Sequence, residues 1–194
     1  MKLPKTRTAL GFGTGVCSVA AIIPLLLANF GGEIRTSKQG LEIIGDAEGC
    51  RRDPYQCPAD VLTVGIGSTA AGGEKIDPKH RYSDLEIAER WKNDIVIAER
   101  WKNDIVIAEP CVNKYGNGKQ LPQSVFDAAV SITFNVGCGA VSKSTMFKHL
   151  QIGNYKQACN EFPRWVYAGG RKLPGLAARR EKEKALCLAD LTSR

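Results

Sequence analysis

The stretch AEGCRRDPYQCPADVLTVGIGST, residues 47–69, changes character part-way along. An amphipathic segment leads into it: Ser37 can cap a helix running to about Gly49, with Leu41, Ile43, Ile44 and Ala47 on its apolar face. Beyond Gly49 the pattern is that of short strands. Asp53-Pro54 and Pro58 mark turns, and the β-type runs Val61 to Val64 and Ile66 sit among glycines and small residues. Residues 50 to 70 therefore predict a small antiparallel sheet with tight turns. A helix ending in a carboxylic acid, Glu48, is followed at once by a hairpin able to fold back on it.

Downstream, Ser83 to Glu109 is helical in pattern and contains a duplication. Ile87 to Glu99 (IAERWKNDIVIAE) recurs residue for residue as Ile97 to Glu109. A period this short, occurring twice, is no solenoid unit; it is a local duplication within one long helix. Ten extra residues lengthen a helix by about 15 Å, so the parts on either side must shift or the surplus must loop out. Pro110 is expected to end the segment. Further helices are predicted near Gln123 to Val136, Ser142 to Leu150, Asn154 to Glu161 and Pro174 to Leu191, separated by Asn117-Gly118, Gly137 to Gly139 and Ala168-Gly169-Gly170. The fold class is α+β: a small α/β lobe, a connecting helix and a larger helical lobe.

The chain has 194 residues and a net charge of +7, which suits an anionic partner but does not choose among nucleic acid, acidic lipid and wall polymer. Its seven cysteines are Cys17, Cys50, Cys57, Cys111, Cys138, Cys159 and Cys187. With no C-x-x-C pair and two histidines, His80 and His149, they argue against zinc. Six scattered cysteines in the body of the chain point to disulfides and an oxidising compartment. Cys17 is the odd one, inside an apolar stretch.

That stretch, Thr8 to Gly32, is uncharged, follows Lys2, Lys5 and Arg7, and precedes Glu33, the first acidic residue. Its flanking charges place the N-terminus in the cytoplasm and the remainder outside. It is long enough to span a bilayer, but Gly11, Gly13, Gly15, Pro24 and Asn29 weaken it as a helix and as an anchor. Three readings stand: a cleaved signal peptide, a stable anchor, and a marginal anchor that inserts and later leaves the membrane intact.

Glycoside hydrolysis needs an acid that protonates the leaving oxygen, opposite a group that attacks or positions water. A partly desolvated Glu at a helix end can hold its proton near neutral pH. Considered alone, Glu48 reads rather as a solvated surface residue and GIG as a simple turn. The spacing of Glu48, Cys57 and Thr63 before GIGST nevertheless resembles the catalytic signature of the phage-type lysozymes, glycoside hydrolase family 24. The likeness continues through FDAAVSITFNVGCG, STMFKHLQIGNY and RWVYAGGRKLPGLAARREKEKALCL, and so covers most of residues 38 to 190.

The resemblance implies a lysozyme-like fold of two lobes joined by a long helix. It also implies cleavage of the β-1,4 bond between N-acetylmuramic acid and N-acetylglucosamine in peptidoglycan. Glu48 would be the general acid, Thr63 would help hold the attacking water or the partner of a second carboxylate, and Arg179 or Arg180 would pair with Glu48. Where most of the family has Asp, this chain has Cys57; a thiolate can act as base or nucleophile only when reduced and deprotonated. That variant is similar to a subgroup whose N-terminal segment is a signal-anchor-release element with three regulatory cysteines, here Cys17, Cys50 and Cys57. A Cys50–Cys57 bond would block the catalytic thiol, and Cys17, once out of the membrane, would exchange with it to give Cys17–Cys50. Cys111–Cys138 and Cys159–Cys187 are the expected structural pairs.

The expected organisation is a signal-anchor-release segment over residues 1–32 and a lysozyme domain over 33–194. Within the domain, 33–82 would form the small lobe, 83–110 the connecting helix and 111–194 the helical lobe. No metal or organic cofactor is expected. The expected partners are glycan strands and, through residues 8–32 before release, inner-membrane lipid; nucleic acid is not among them, and the protein would be a monomer. Its place would be the host inner membrane facing the periplasm, then the periplasm. The rival activities are a lytic transglycosylase and a non-catalytic peptidoglycan-binding domain. Trp91, Trp101 and Trp165 are candidates for stacking on sugars, with core packing preferred for Trp165. Arg171 to Lys184 reads as a solvated basic helix face, and His80 and His149 have no assignable partner.

Overall fold

A computed structural model describes residues 15–57, 60–70, 75–96 and 108–191. Residues 8–14 of the uncharged run, Pro58, and residues 97–107, which include Trp101 and most of the second repeat copy, lie outside these.

The expected α+β architecture is present. In chain order it comprises helices α1 (Val19–Phe30) and α2 (Lys38–Glu48) and strands β1 (Arg51–Gln56), β2 (Leu62–Gly65) and β3 (Ser68–Thr69). Next come α3 (Asp84–Val96), α4 (Ala108–Tyr115), α5 (Gln123–Val136), α6 (Cys138–Val141), α7 (Thr145–Gln151) and α8 (Tyr155–Asn160). A short hairpin of β4 (Tyr167–Ala168) and β5 (Arg171–Lys172) then leads into α9 (Pro174–Ala189). Strands β1, β2 and β3 form one antiparallel sheet in that order.

Helix α5 is the centre of the helical part. Its residues Ser124 to Thr133 are all buried, as suits a helix with neighbours on every side, and α9, α2 and α4 pack against it. Leu41 and Ile44 of α2, Trp91 of α3, Phe126 of α5 and Phe147 of α7 are sealed from solvent in one continuous core. Trp91 is fully enclosed, so it packs and cannot stack on a sugar; Trp165 lies partly buried against the same core.

Helix α2 starts where Ser37 predicts. The Ser37 hydroxyl accepts from the Gly40 amide at 3.5 Å and donates to Asp127 Oδ2 at 2.5 Å, while the Ser37 amide donates to Asp127 Oδ1 at 2.9 Å. Burial of Asp127 raises its affinity for protons above the ordinary carboxylate value, against the opposing effects of Ser37, Gln123 and Arg35. An acid whose folded-state value is raised contributes most stability below its ordinary value of 3.8 and loses that contribution as pH climbs through the raised one. Asp127→Asn removes the titration. Between about pH 4 and pH 7 the unfolding free energy of this variant should therefore gain on that of the parent. Urea denaturation along a pH series checks this, and a gap constant with pH would contradict it.

Three expectations about local structure are corrected. Pro110 does not end a helix; it lies inside α4, two residues after Ala108. The helix expected from Ser142 starts at Thr145, because Ser144 caps it by accepting from the Phe147 amide at 3.2 Å. Ile66 belongs to the turn between β2 and β3 rather than to a strand.

The N-terminal apolar run contributes α1, twelve residues long with Pro24 inside it. Among the described residues no helix is long and apolar enough to cross a membrane. Instead, Ile22, Ile23 and Leu26 are buried in the core, and α1 lies against α3 and α2. Gly45 of α2 permits this approach, since a β-carbon there would collide with Val19. Ahead of α1, residues 15–17 run beside β1: Val16 and Arg51 form an antiparallel bridge, and Cys17 N donates to Cys50 O at 3.2 Å. Arg52 fastens this strap to the rest. Its amide reaches Gly15 O at 2.6 Å, and its guanidinium reaches Val16 O at 2.7 Å and Asp84 Oδ1 at 2.6 Å.

Candidate active site

Glu48 is the last residue of α2 and lies one turn beyond Ile44, which is fully buried. Residues four apart share a helix face, so Glu48 continues the inward-facing stripe rather than pointing to solvent. Its side chain is 26% exposed, and its Oε1 accepts from Arg179 Nη1 of α9 at 2.8 Å. The other carboxylate oxygen faces the hairpin: a β-carbon on Gly67 would stand 3.3 Å from Oε2. Gly67 has φ +70°, a conformation that favours glycine, and a β-carbon there would also crowd Oε2. The acid is thus held between the helical part and the sheet.

The hairpin register places several side chains together. Tyr55 is the cross-strand partner of Thr63, and Thr63 that of Thr69, so these three share one face of the sheet. Val64, next along β2, points the other way into the core. Between Arg51 and Tyr55 the register shifts, and Pro54, which has no N–H to give a neighbouring strand, lies in that interval. Beyond β1, Cys57 N donates to Val61 O at 3.0 Å and Asp60 N to Cys57 O at 2.8 Å, closing a tight turn. Burial pushes the Tyr55 hydroxyl towards its neutral form; Arg51, with its guanidinium 4.5 Å from the ring centre, opposes this, whereas charge on Cys57 or Glu48 reinforces it. Tyr55 therefore lies within electrostatic reach of both Glu48 and Cys57. The Thr63 hydroxyl is nearly buried and donates to Val61 O at 2.9 Å.

Three disulfides join Cys17 to Cys50, Cys111 to Cys138 and Cys159 to Cys187. The partly buried Cys57 belongs to none of them. The first bond ties the strap before α1 to the residue that opens the hairpin.

Behind Glu48 lies a buried charged cluster. Arg179 Nε donates to Glu183 Oε1 at 3.1 Å, and its Nη2 to Ser131 O at 3.3 Å. Ser131 Oγ donates to the same Glu183 oxygen at 2.6 Å. Arg180 Nη1 stands 2.9 Å from Glu183 Oε2, and Arg180 Nη2 donates to Asn135 Oδ1. Of the two arginines considered, Arg179 meets Glu48, while Arg180 is turned to Glu183 and Asn135. Burial raises the proton affinity of Glu183, against the neighbouring Arg180, Ser131 and Arg179, and lowers that of Arg180.

The expectation that Arg171 to Lys184 forms a solvated face fails at Arg179, Arg180 and Glu183, all buried, because α9 turns this side towards α5. The sequence alone does not single out Tyr55, Ser131, Asn135 or Glu183. The Arg-Arg-x-x-Glu spacing, which puts Glu183 at i+4 and i+3 from the two arginines, was the signal available. His80, which had no assignable partner, has Nε2 2.9 Å from Glu86 Oε1.

Comparison with known proteins identifies the family and the fold. The SAR-endolysin of Escherichia phage P1 is 39% identical over 200 residues, covering 97% of this chain and 99% of the relative. The crystal structure of the active form of P1 phage endolysin Lyz matches with a TM-score of 0.80 at 39% identity, over 94% of this chain and 99% of that one. The secreted inactive form matches with a TM-score of 0.53 at 38% identity, over 82% of this chain and 99% of that one. The profile of the phage lysozyme family matches residues 45–183, from just before the helix-end acid to the buried Glu183, and the chain belongs to that family.

Proposed function

We propose that this enzyme is an endolysin in which Glu48 delivers a proton to the glycosidic oxygen between N-acetylmuramic acid and N-acetylglucosamine, with Cys57 and Thr63 acting on the attacking water or the sugar carbon. The single observation that carries this reading is the placement of Glu48: a helix-end carboxylate fixed by Arg179 at 2.8 Å and abutting the hairpin at Gly67. Membership of the lysozyme family makes the enzyme a glycoside hydrolase acting on peptidoglycan. Residues 1–32 act as a membrane segment that is later released, and 33–194 as the lysozyme domain. The released, monomeric protein works in the periplasm to lyse the host.

Activity is controlled by disulfide exchange. In the membrane-bound form Cys50 is bonded to Cys57, which blocks the catalytic thiol. After release, the Cys17 thiolate attacks Cys50 Sγ; the Cys17–Cys50 bond forms, the Cys50–Cys57 bond breaks, and Cys57 leaves as a thiolate. One disulfide is exchanged for another, so no external oxidant or reductant is consumed. The Cys17–Cys50 bond and the greater likeness to an active than to an inactive form support assigning the described state to the released enzyme.

Mass spectrometry of the glycan products tests the reaction. Hydrolysis gives reducing N-acetylmuramic acid ends that carry the elements of water. Ends in the 1,6-anhydro form would overturn hydrolysis in favour of transglycosylation.

A further inference from the structure

Glu183 takes no part in the chemistry above, yet it lies on the opposite edge of the guanidinium that holds the acid. We propose that Glu183 is a positioning residue that tunes the proton affinity of Glu48 through Arg179. The inference rests on the reading of Glu48 as general acid.

The geometry is a relay of three charges. Arg179 presents Nη1 to Glu48 at 2.8 Å and Nε to Glu183 at 3.1 Å, while Nη2 is taken by Ser131 O. The Arg179 side chain is 6% exposed and that of Glu183 fully enclosed, so water screens this contact little. A buried guanidinium beside a carboxyl group favours the ionised form, the wrong state for a group that must give up a proton. An anion on the far side of the same guanidinium offsets that field. Glu183 supplies it; burial raises its proton affinity, and Arg180 Nη1 at 2.9 Å, Ser131 Oγ at 2.6 Å and Arg179 Nε at 3.1 Å oppose that rise.

The groups facing this pair are few. Arg179 and Arg180 come from α9, Ser131 and Asn135 from α5, and Glu48 from α2; on the hairpin, Tyr55 lies within electrostatic reach of Glu48 and of Cys57. Among these, Glu183 is the carboxylate other than Glu48 that touches Arg179. A purely structural Glu183 would hold α9 on α5 without touching the titration of Glu48.

The test is carbon-13 NMR titration of the Glu48 carboxyl in the full oxidised chain, its signal assigned by its loss in Glu48→Gln. In Glu183→Gln the charge is removed and the shape kept. The Glu48 titration should then move down by about one pH unit, and glycan cleavage near neutral pH should fall about tenfold. Should Glu183→Gln fail to fold, Arg180→Met/Glu183→Gln removes the buried pair together, which is better tolerated than stranding one partner. Loss of the Arg180 charge acts in the opposite sense, so a smaller downward move is expected there. An unmoved titration in whichever variant folds overturns the proposal. If instead the titration moves but Glu48→Gln still cleaves glycan, the coupling stands and the assignment of the acid falls, so the two failures are distinct.

Discussion

Glu48→Gln should leave the chain folded and slow glycan cleavage by at least about a thousandfold, within the range that positioned acids contribute. The side chain keeps its length and planarity, so an amide carbonyl can still accept from Arg179 Nη1, now 2.8 Å from Oε1. Arg179 retains Glu183 as counter-ion, so no buried charge is stranded. Gly67, which leaves room for Oε2, admits the amide group equally. What disappears is the proton, and without it the leaving sugar must depart as an alkoxide. Clearing of permeabilised cells measures the rate, and a thermal melt confirms the fold. A variant that is folded and still clears cells at a tenth of the parent rate would remove Glu48 from the mechanism.

Cys17→Ser should produce an enzyme that is inert under oxidising conditions and recovers with a thiol reductant. In the described state Cys17 holds Cys50, with Cα atoms 5.0 Å apart. Without Cys17, Cys50 is released seven positions before Cys57, and closing that short loop costs little entropy. The new bond would consume the thiol that stands where most of the family has Asp. Loss of the native bond also removes a constraint across 33 residues, worth about 3–4 kcal/mol. The decisive control is Cys17→Ser/Cys50→Ser, which shares the stability loss but leaves Cys57 without that partner. It should cleave glycan without reductant. If the single variant is fully active when oxidised, exchange at Cys50 is not the control.

Much of the helical part was legible because its signals are local. Ser37 as cap and Gly49 as stop frame α2, and the apolar pattern of Gln123–Val136 gives α5 its observed bounds. Glu48 could be singled out because a carboxylate at a helix end before a hairpin is a distinctive arrangement, and resemblance supplied its role. Long-range features were not legible. Arg179, Arg180 and Glu183 have the spacing of a solvated charged helix, and burial follows from where Ser131, Asn135 and Glu48 arrive from other elements. Tyr55 joins the site through a register shift near Pro54 that sequence alternation does not reveal. The duplicated Trp gave no sign that its first copy would be sealed in the core.

An apolar N-terminal run reads the same whether lipid or protein is to cover it, and here protein covers one side of its described helix. Ile22, Ile23 and Leu26 are shielded by α2 and α3, while Cys17 is covalently tied to the hairpin. For an enzyme extracted from a bilayer, docking in this way confers direction. Ile22, Ile23 and Leu26 are no longer on offer to lipid, and re-entry would require prising out the helix and cutting a covalent tether. On the proposed release from a bilayer, departure would act as a ratchet, leaving a molecule at liberty to roam the wall.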